Sequence, residues 1–591
     1  MAIAYAIVAW LVIQVVVAVK APLHLPGWAD TLVIVLLAAG FPIAIVLAWM
    51  FDLTPEGLKR TQEGEPNRPL PVMARRIEYA ILGLIIIAVG WLYYRSEFPG
   101  REATKNTISE AATPANTSVL RKSVAVLPFE NLSPNPDDAY FAAGIHEEIL
   151  NQLAKIKDLS VIARTSVMPY QNSGKSVAEI AKELNVSTVV EGSVRYDSSK
   201  RVRVTAQFID AATDTHLWSE TYDRDLNDIF GIQTDVATRI AAALEAQLSG
   251  AERENIQKIP TKSPEAYALY LKAKATFQGT PRTFVLAQGY LDQAVALDPD
   301  FALAYAWTAM YYVIPLGPAI TAVPEDMATR NEYAEKGRQN ATKALDIDPA
   351  LGIAYDALGW LEQYDWNWDG AAAALKRAYD LSPNEATILA AYGYYIFKTG
   401  RDPDEGFRLV RRAISLDPNS YVWRMALATM LQSTGDGPGA ISAYERAVAL
   451  LPTIIQAHGA LAVLYAARGD MAAARREIAT IELLWRSDPR PATVPILLNA
   501  YRAVGQEDDA KRLLDELSVT SKTQSVSAMT WFLAYQAMGD RENTIAWFQK
   551  AVNTHDTYGT DILLTRTRNA FSDFVWDDPR FQETRAKLGF D

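Results

Sequence analysis

The hydrophobic positions near the amino terminus form long uninterrupted runs. Apolar residues fill 2–19 and 32–51, and a third run over 77–94 carries a single charge, Glu78. A helix of this length can cross a hydrocarbon core, because it rises about 1.5 Å per residue. The pattern predicts three transmembrane helices that form an anchor over 1–94. A cleaved signal peptide is the alternative for the first run, but no basic segment precedes it and no small-residue cleavage site follows it.

The charge of the loops predicts an orientation. The loop after the second run is basic, with Lys59, Arg60, Arg68, Arg75 and Arg76, whereas the loop after the first run has only Lys20. By the positive-inside rule the amino terminus is cytoplasmic and the chain beyond the third helix is extracytoplasmic. This predicts a multi-pass inner-membrane protein, in contact with the lipid bilayer, whose C-terminal domains are periplasmic. Residues 95–119, rich in Thr, Ala and Ser without apolar periodicity, are predicted to be a flexible tether.

From residue 120 the pattern changes to short apolar strands that alternate with amphipathic helices. Val202, Val204, Ala206 and Phe208 alternate with polar residues, which is typical of a strand with one buried face. The segment "DDAYFAAGIHEEILNQLAKI" has its apolar residues at helical spacing. Residues 120–250 are therefore predicted to form a small α/β domain.

The second half of the chain has a longer period. Pro349, Pro383, Pro418 and Pro452 recur at intervals of 34, 35 and 34 residues, each after a helical pattern. Such a period indicates helix-turn-helix units that stack into a superhelical solenoid. We predict about eight units over 264–555, with glycines 400, 469, 505 and 539 at the turn inside a unit, and a C-terminal cap over 556–591. The complete fold prediction is multidomain: three transmembrane α-helices, a small α/β domain and an all-α solenoid.

Composition excludes several kinds of chemistry. The chain of 591 residues has a formal net charge of −12, which argues against a nucleic-acid partner because neutralising phosphates needs a basic face. It has no cysteine and only five scattered histidines, so we predict no metal site and no cofactor.

Two short stretches approach catalytic motifs without completing them. His146-Glu147 opens a zinc-protease motif, H-E-x-x-H, but Leu150 stands where the second histidine is needed. The Glu147-Glu148 pair is expected instead on a solvated helix face. Gly174-Lys175-Ser176 ends a phosphate-binding motif, but Pro169 replaces its first glycine, so a loop in which Ser176 caps a helix is expected. We predict no catalytic residues.

Two sets of residues remain as candidate binding sites. The concave face of a solenoid, lined by the first helix of each unit, offers a groove for a protein or peptide. The candidate contacts in that groove are aromatic: Tyr355, Tyr392, Tyr394, Trp423, Tyr465, Tyr501 and Tyr535. Most of them could equally fill space between helices. Arg164, Arg195 and Arg203 could bind an anion, although pairing with nearby acidic residues is the simpler interpretation.

Several blocks resemble known families. "SVAVLPFENLS", "YFAAGIHEEILNQL" and "IAKELNVSTVVEGSVR" resemble the TolB-like amino-terminal domain of bacterial membrane proteins, and the 34-residue units resemble tetratricopeptide (TPR) repeats. The membrane segment ending "FDLTPEGLKR" resembles the anchor of such proteins. In relatives a winged-helix domain or a class III cyclase domain precedes the anchor. This chain starts at its first apolar run, so it is either a naturally short form or its true start lies upstream.

The resemblance and the patterns lead to two hypotheses of function. The first is a membrane-anchored, non-enzymatic scaffold that binds partner proteins through the TPR groove and the TolB-like domain. The second is the sensory or regulatory part of a signalling system related to winged-helix regulators or class III cyclases, with its output domain absent or on another chain. Self-association into a homo-oligomer stays open.

Overall fold

The computed structural model describes residues 51–54, 57–60, 120–135, 139–196, 201–225, 229–277, 281–316, 327–556 and 573–589. The chain divides into two compact units, Met1–Ala115 and Asn116–Asp591, and each is described by itself. In the first unit, β1 (Phe51–Thr54) and β2 (Gly57–Arg60) form an antiparallel pair with Phe51 opposite Arg60.

The predicted transmembrane helices require a correction. Across the described ranges no helix is both long enough and apolar enough to cross a membrane. Phe51, predicted to end the second span, begins a strand instead, and the remainder of 2–19, 32–51 and 77–94, like the tether 95–119, lies outside the described residues. The three-helix part of the fold prediction is therefore wrong, as is the multi-pass inner-membrane location that depended on it. An apolar run of this length is long enough to span a membrane. Its length alone does not determine whether its backbone hydrogen bonds form a continuous helix.

The second unit begins with a six-stranded mixed sheet. Its strands are β3 (Leu120–Val126), β4 (Glu130–Asn131), β5 (Ser160–Val161), β6 (Val186–Tyr196), β7 (Arg201–Asp210) and β8 (Thr215–Asp225). The order is β5-β3-β6-β7-β8, with β4 also on β6; β3 is parallel to β5 and β6, and β6, β7 and β8 are antiparallel neighbours. The helices are α1 (Ala139–Ala154), α2 (Arg164–Val167), α3 (Val177–Leu184), α4 (Ile229–Ala243) and α5 (Gly250–Gln257).

The sheet is covered on both faces. Ile145, Ile149 and Leu153 of α1 share one buried cluster with α4 and with the inward residues of β7. On the opposite face, Ile180 and Leu184 of α3 pack with Ala125 and Val189. The alternation predicted for β7 and the stripe predicted for α1 are both confirmed.

The rest of the described chain is helical. Eight helix pairs follow in this part of the structure: α6 (Pro264–Thr276) with α7 (Pro281–Leu297), α8 (Ala302–Val313) with α9 (Met327–Ile347), α10 (Gly352–Tyr364) with α11 (Trp368–Leu381), α12 (Ala386–Lys398) with α13 (Pro403–Leu416), α14 (Tyr421–Ser433) with α15 (Gly437–Leu450), α16 (Ile455–Ala467) with α17 (Met471–Ser487), α18 (Val494–Ala503) with α19 (Glu507–Thr520), and α20 (Ala528–Met538) with α21 (Arg541–Asn553). Two short helices, α22 (Asp573–Trp576) and α23 (Pro579–Ala586), close the chain.

Small residues let the two helices of a pair approach closely. A Cβ at Gly359 of α10 would lie 2.6 Å from the Leu375 side chain of α11, so a larger residue there would force Leu375 to move. The turn inside each later pair needs a left-handed residue, which Gly400, Gly469 and Gly505 supply with φ of 65°, 84° and 76°. The described chain beyond the α/β domain is therefore a solenoid of helix pairs, and Gly400, Gly469, Gly505 and Gly539 lie at the turns where the sequence predicted them.

Both ends of the solenoid contact other parts of the same unit. At its amino-terminal end, one continuous core runs from the sheet through α1 and α4 into α6, α7 and α8. At its other end, the Trp368 indole N–H of α11 donates to Leu588 O at 2.5 Å, and the rings of Trp366 and His555 lie 3.9 Å apart. Repeat eight and the C-terminal helices thus return to contact the third repeat.

Candidate functional site

A buried charged junction lies where α1 crosses α6. The Lys274 ammonium of α6 lies 2.6 Å from the Glu147 carboxylate of α1, and their side chains are only 7% and 17% exposed. Lys274 also lies over the ring of Trp307, and Arg164 of α2 approaches Glu147 to 3.8 Å. Burial raises the pKa of Glu147, but Lys274 and Arg164 outweigh that effect and hold it below its usual value. Glu147 is therefore an ionised anchor between the α/β domain and the first repeat.

The neighbours of Glu147 are buried as well. Glu148 accepts hydrogen bonds from Tyr270 Oη at 3.1 Å and Asn151 Nδ2 at 3.0 Å, and burial raises its pKa. The expectation of a solvated Glu147-Glu148 pair is thus wrong, because α6 covers the side of α1 that faces away from the sheet. A Cβ at Gly144 would lie 2.7 Å from Leu271, which shows how close the two helices are.

His146 has a structural role. Its Nε2–H donates to Val126 O at 2.8 Å, and burial lowers its pKa to about 4, so the ring is neutral near pH 7. No group of three His, Cys, Asp or Glu residues in the described ranges is arranged to hold a metal ion. In the other near-motif, Ser176 caps α3 through a reciprocal capping box with Glu179. The expected helix-capping role of Ser176 is confirmed.

A carboxylate on α10 has unusual surroundings. Asp356 is fully buried, and within the described structure no hydrogen bond of ordinary geometry reaches either of its oxygens. Burial, and then the nearby Glu385 carboxylate, raise the pKa of Asp356 to about 7, while the Trp360 side chain partly opposes the rise. An uncompensated buried carboxylate disfavours the folded state when it ionises.

The turns between successive repeats hold the linker that follows the α/β domain. In the first of these turns, Asp298 accepts a hydrogen bond from Thr261 Oγ1. In the second, Asp348 Oδ1 lies 2.5 Å from the Lys258 ammonium. Thr261 and Lys258 lie between α5 and α6, so the linker follows this edge of the solenoid.

The next two turns hold the α/β domain itself. Asn384 Nδ2 donates to Ile156 O at 2.7 Å and to Lys157 O at 3.1 Å. Asp417 Oδ1 accepts from Thr165 Oγ1 and Ser166 Oγ, both at 2.6 Å. Four consecutive inter-repeat turns therefore fix the α/β domain and its linker on the first half of the solenoid.

Replacing Asp417 with Ala is expected to loosen this attachment. The substitution removes the shared acceptor of Thr165 and Ser166, and hydrogen bonds to a charged group are worth about 1.5–3 kcal/mol each. Amide hydrogen exchange should rise over 160–167 and stay unchanged over α20 and α21. Asp404→Ala, at an exposed position on α13, is the control; equal exchange in both variants would contradict the role assigned to Asp417.

The nominated aromatic residues divide into two groups. Tyr465 Oη donates to Glu445 at 2.6 Å and Tyr501 Oη donates to Glu482 at 2.7 Å, so each joins an inner helix to the outer helix of the preceding repeat. Tyr355, Tyr392, Tyr394, Trp423 and Tyr535 are half-buried. The role of all seven residues as partner contacts stays a prediction, and Tyr465 and Tyr501 in addition join neighbouring repeats.

The nominated arginines lie in different surroundings. Arg195 and Arg203 are opposite each other on β6 and β7, but Arg164 lies on α2 beside Glu147. Arg203 shares the Asp223 carboxylate with Arg201, with an Nη2 at 2.5 Å from one oxygen in each case. Anion binding by the three residues stays a prediction.

Sequence reasoning did not identify Lys274, Asp356 or Asp417, because a polar residue at an internal interface has the same local pattern as one on a solvated face.

Parts of the chain are similar to known proteins. Residues 120–241 match the second domain of HilA/YgeH-like transcriptional regulators. A putative adenylate cyclase 3 from Rhizobium meliloti (strain 1021) is 39% identical over 197 residues, which cover 33% of this chain and 33% of that protein. The match thus spans about a third of the curated relative's length.

Three solved structures are similar to parts of the chain. PilW, a widely conserved type IV pilus biogenesis factor, is 17% identical, with 38% of this chain and 95% of PilW covered and a TM-score of 0.32. PilF of Pseudomonas aeruginosa is 13% identical, with 48% and 99% covered and a TM-score of 0.27. YrrB, described as a TPR protein with an unusual peptide-binding site, is 16% identical, with 36% and 97% covered and a TM-score of 0.25. Residues 120–241 are thus similar to a regulator domain, and the helix pairs after them follow the period of about 34 residues seen in the sequence.

Proposed function

We propose that the chain is a non-enzymatic adaptor that binds a partner protein or peptide through its solenoid, while its α/β domain, of the TolB-like kind, is held on the first repeats. The observation that carries the proposal is the distribution of contacts along the inter-repeat turns. The first four turns bond the α/β domain or its linker. In the fifth, Pro452 O accepts a hydrogen bond from His458 of its own repeat at 2.9 Å. We therefore expect a partner to bind the second half of the solenoid.

Site-specific photo-crosslinking tests this proposal. Benzoylphenylalanine at Asn499, an exposed residue of the inner helix α18, is expected to give a discrete crosslinked species in cells of the native organism. The same group at Lys343, exposed on the outer helix α9, is the matched control and should give none. Absence of a crosslinked species at Asn499, or the same species at Lys343, would count against the adaptor.

A second candidate is favoured by the sequence comparisons. The match of 120–241 to a regulator domain and the relative named as an adenylate cyclase support a sensory or regulatory part of a signalling system. In this alternative the solenoid and the α/β domain receive the signal, and a DNA-binding or cyclase domain supplies the output.

The coding sequence around this chain discriminates the two candidates. An in-frame DNA-binding or cyclase domain upstream of Met1 favours the signalling role, and so does a rise in cyclic AMP when the chain is co-expressed with a neighbouring cyclase gene. Neither result is expected of an adaptor alone.

A further inference from the structure

Strand β8 forms one outer edge of the six-stranded sheet. The strand order ends at β8, and among the described strands only β7 pairs with it. It spans 11 residues, Thr215–Asp225, whereas the strand at the opposite edge, β5, has two, Ser160–Val161. An edge strand presents a row of backbone N–H and C=O groups that another strand can pair with, and proteins usually keep such strands short or interrupt them. The long edge of this sheet is therefore a place where a further strand can add.

The devices that normally block an edge are missing from most of β8. Proline and lysine are residues that proteins place on an edge to prevent pairing, and the strand sequence, THLWSETYDRD, has neither. A β-bulge has the same effect, but the register of β8 on β7 shifts near its start, between the pairs Phe208–Trp218 and Ile209–His216. From Trp218 to Asp225 the pairing with β7 is regular. This regular part has an edge that a second strand can follow.

Both faces of β8 are fixed by contacts inside the domain. On the face towards α4, Tyr222 Oη donates to Asp235 at 2.6 Å. On the other face, the Asp223 carboxylate accepts hydrogen bonds from Arg201 and Arg203 of β7. The strand is therefore already held in the extended conformation that pairing requires, and little conformational entropy is lost when another strand binds.

The charges along β8 favour a second copy of the same strand. When two identical strands pair antiparallel about a twofold axis perpendicular to the sheet, residues at equal distances before and after the axis face each other. With the axis at Tyr222, Glu220 faces Arg224 of the second copy, and Arg224 faces Glu220 of the second copy. Two pairs of opposite charge thus form across one interface, and opposite charges on facing residues stabilise a strand pair.

Neighbouring registers lack this match. An axis at Glu220, Asp223 or Arg224 places that residue against the same residue of the second copy, so that like charges face each other. Facing like charges destabilise a strand pair. An axis at Thr221 brings no two charged residues opposite each other. The sequence of the strand therefore selects the register centred on Tyr222.

The contacts that these residues already make are compatible with a second copy. Glu220 lies 3.8 Å from Arg239 of α4, and the two side chains are 43% and 46% exposed. An exposed pair of this kind contributes little to stability, and a carboxylate has enough acceptor sites for two guanidinium groups. Asp223, the other carboxylate next to the axis, is bound by Arg201 and Arg203. It therefore adds no uncompensated negative charge to the interface.

We propose that β8 pairs antiparallel with β8 of a second copy of this chain, with a twofold axis at Tyr222 and reciprocal bonds between Glu220 and Arg224. The two six-stranded sheets then form one continuous sheet of twelve strands. Such pairing satisfies the backbone groups of both edges at once. The proposal goes beyond the adaptor function and does not depend on it. A dimer presents two solenoids and can bind two partner sites at the same time.

Co-purification of two differently tagged copies of the full chain, expressed in one cell, tests the proposal. Wild-type copies are expected to co-purify. When both copies carry Glu220→Arg, or both carry Arg224→Glu, recovery of the second tag should fall by about tenfold or more, because like charges then face each other at both pairs. When one copy carries Glu220→Arg and the other Arg224→Glu, recovery should return to that of the wild type, because opposite charges again face each other.

Glu254→Arg is the matched control, because Glu254 is exposed on α5 and the substitution changes the net charge by the same amount. Its copies should co-purify as the wild type does, and all variants should unfold at the same temperature. Recovery by the mixed pair also shows that both single variants are folded. Wild-type copies that do not co-purify, single variants that co-purify as well as the wild type, or a mixed pair that does not recover would overturn the proposal.

Discussion

Replacing Asp356 with Asn is expected to stabilise the protein at alkaline pH. In the folded state the pKa of this carboxyl is raised to about 7 from an ordinary value of 3.8, because burial and Glu385 disfavour its charge. The folded state therefore holds a proton that the unfolded chain has already released, and stability is lost as the pH rises from about 4 to 7. Since one pKa unit is about 1.4 kcal/mol, Asp356→Asn should be more stable than wild type by about 4 kcal/mol at pH 8 and by roughly 1.5 kcal/mol at pH 5.

Urea unfolding at both pH values measures this effect. Asp404→Asn, on the exposed face of α13, is the control and should show no pH-dependent gain. An Asp356→Asn variant whose stability relative to wild type is the same at pH 5 and pH 8 would mean that the carboxyl has a partner in the folded state.

Replacing Lys274 with Met is expected to have the opposite and comparably large effect. Glu147 would stay buried, with only the more distant Arg164 to balance its charge. Breaking a buried ion pair by removing one partner costs about 3–5 kcal/mol, whereas removing both charges costs far less. The double variant Glu147→Gln/Lys274→Met should recover most of the stability lost by Lys274→Met.

Urea unfolding of the wild type, of Glu147→Gln, of Lys274→Met and of the double variant gives the coupling energy between the two residues. Lys376→Met serves as the control, because the Lys376–Asp380 pair on α11 is 50% and 43% exposed and an exposed pair is worth under about 1 kcal/mol. The pH dependence has the reverse sign from that of Asp356. Because the pKa of Glu147 is lowered in the folded state, its carboxylate stabilises the protein at pH values above its pKa in the unfolded chain. This stabilisation is lost as the pH falls. Additive effects of the two single substitutions would mean that Glu147 and Lys274 do not stabilise each other across this junction.

The repeating part of this fold could be predicted from the sequence because its signals are local. Prolines at a constant interval and glycines such as Gly469 and Gly505 mark the turns, and the small residue Gly359 marks the close approach of two helices. The alternation of apolar and polar residues along β7 predicted its buried face for the same reason. Each of these features depends on residues close together in the chain.

The interfaces could not be predicted in this way. Glu147 and Glu148 lie opposite the apolar stripe of α1, which is also where surface residues lie, and their burial depends on Lys274 and Tyr270 more than a hundred residues later. The aromatic side chains of Tyr465 and Tyr501 predict groove contacts. The hydrogen bonds of their hydroxyl groups to the preceding repeat could not be predicted from the sequence.

A cysteine pair across the contact between the α/β domain and the solenoid tests whether the two are held together. The chain has no cysteine of its own, and Ser166 and Asn419 contact each other through two hydrogen bonds, of 2.9 Å and 3.3 Å. Ser166→Cys/Asn419→Cys is expected to form a disulfide under mild oxidation. The control pair Ser166→Cys/Thr434→Cys, with its second cysteine beyond the far end of α14, should stay reduced. Equal disulfide formation in the two pairs, or none in either, would contradict an α/β domain held on the first four repeats.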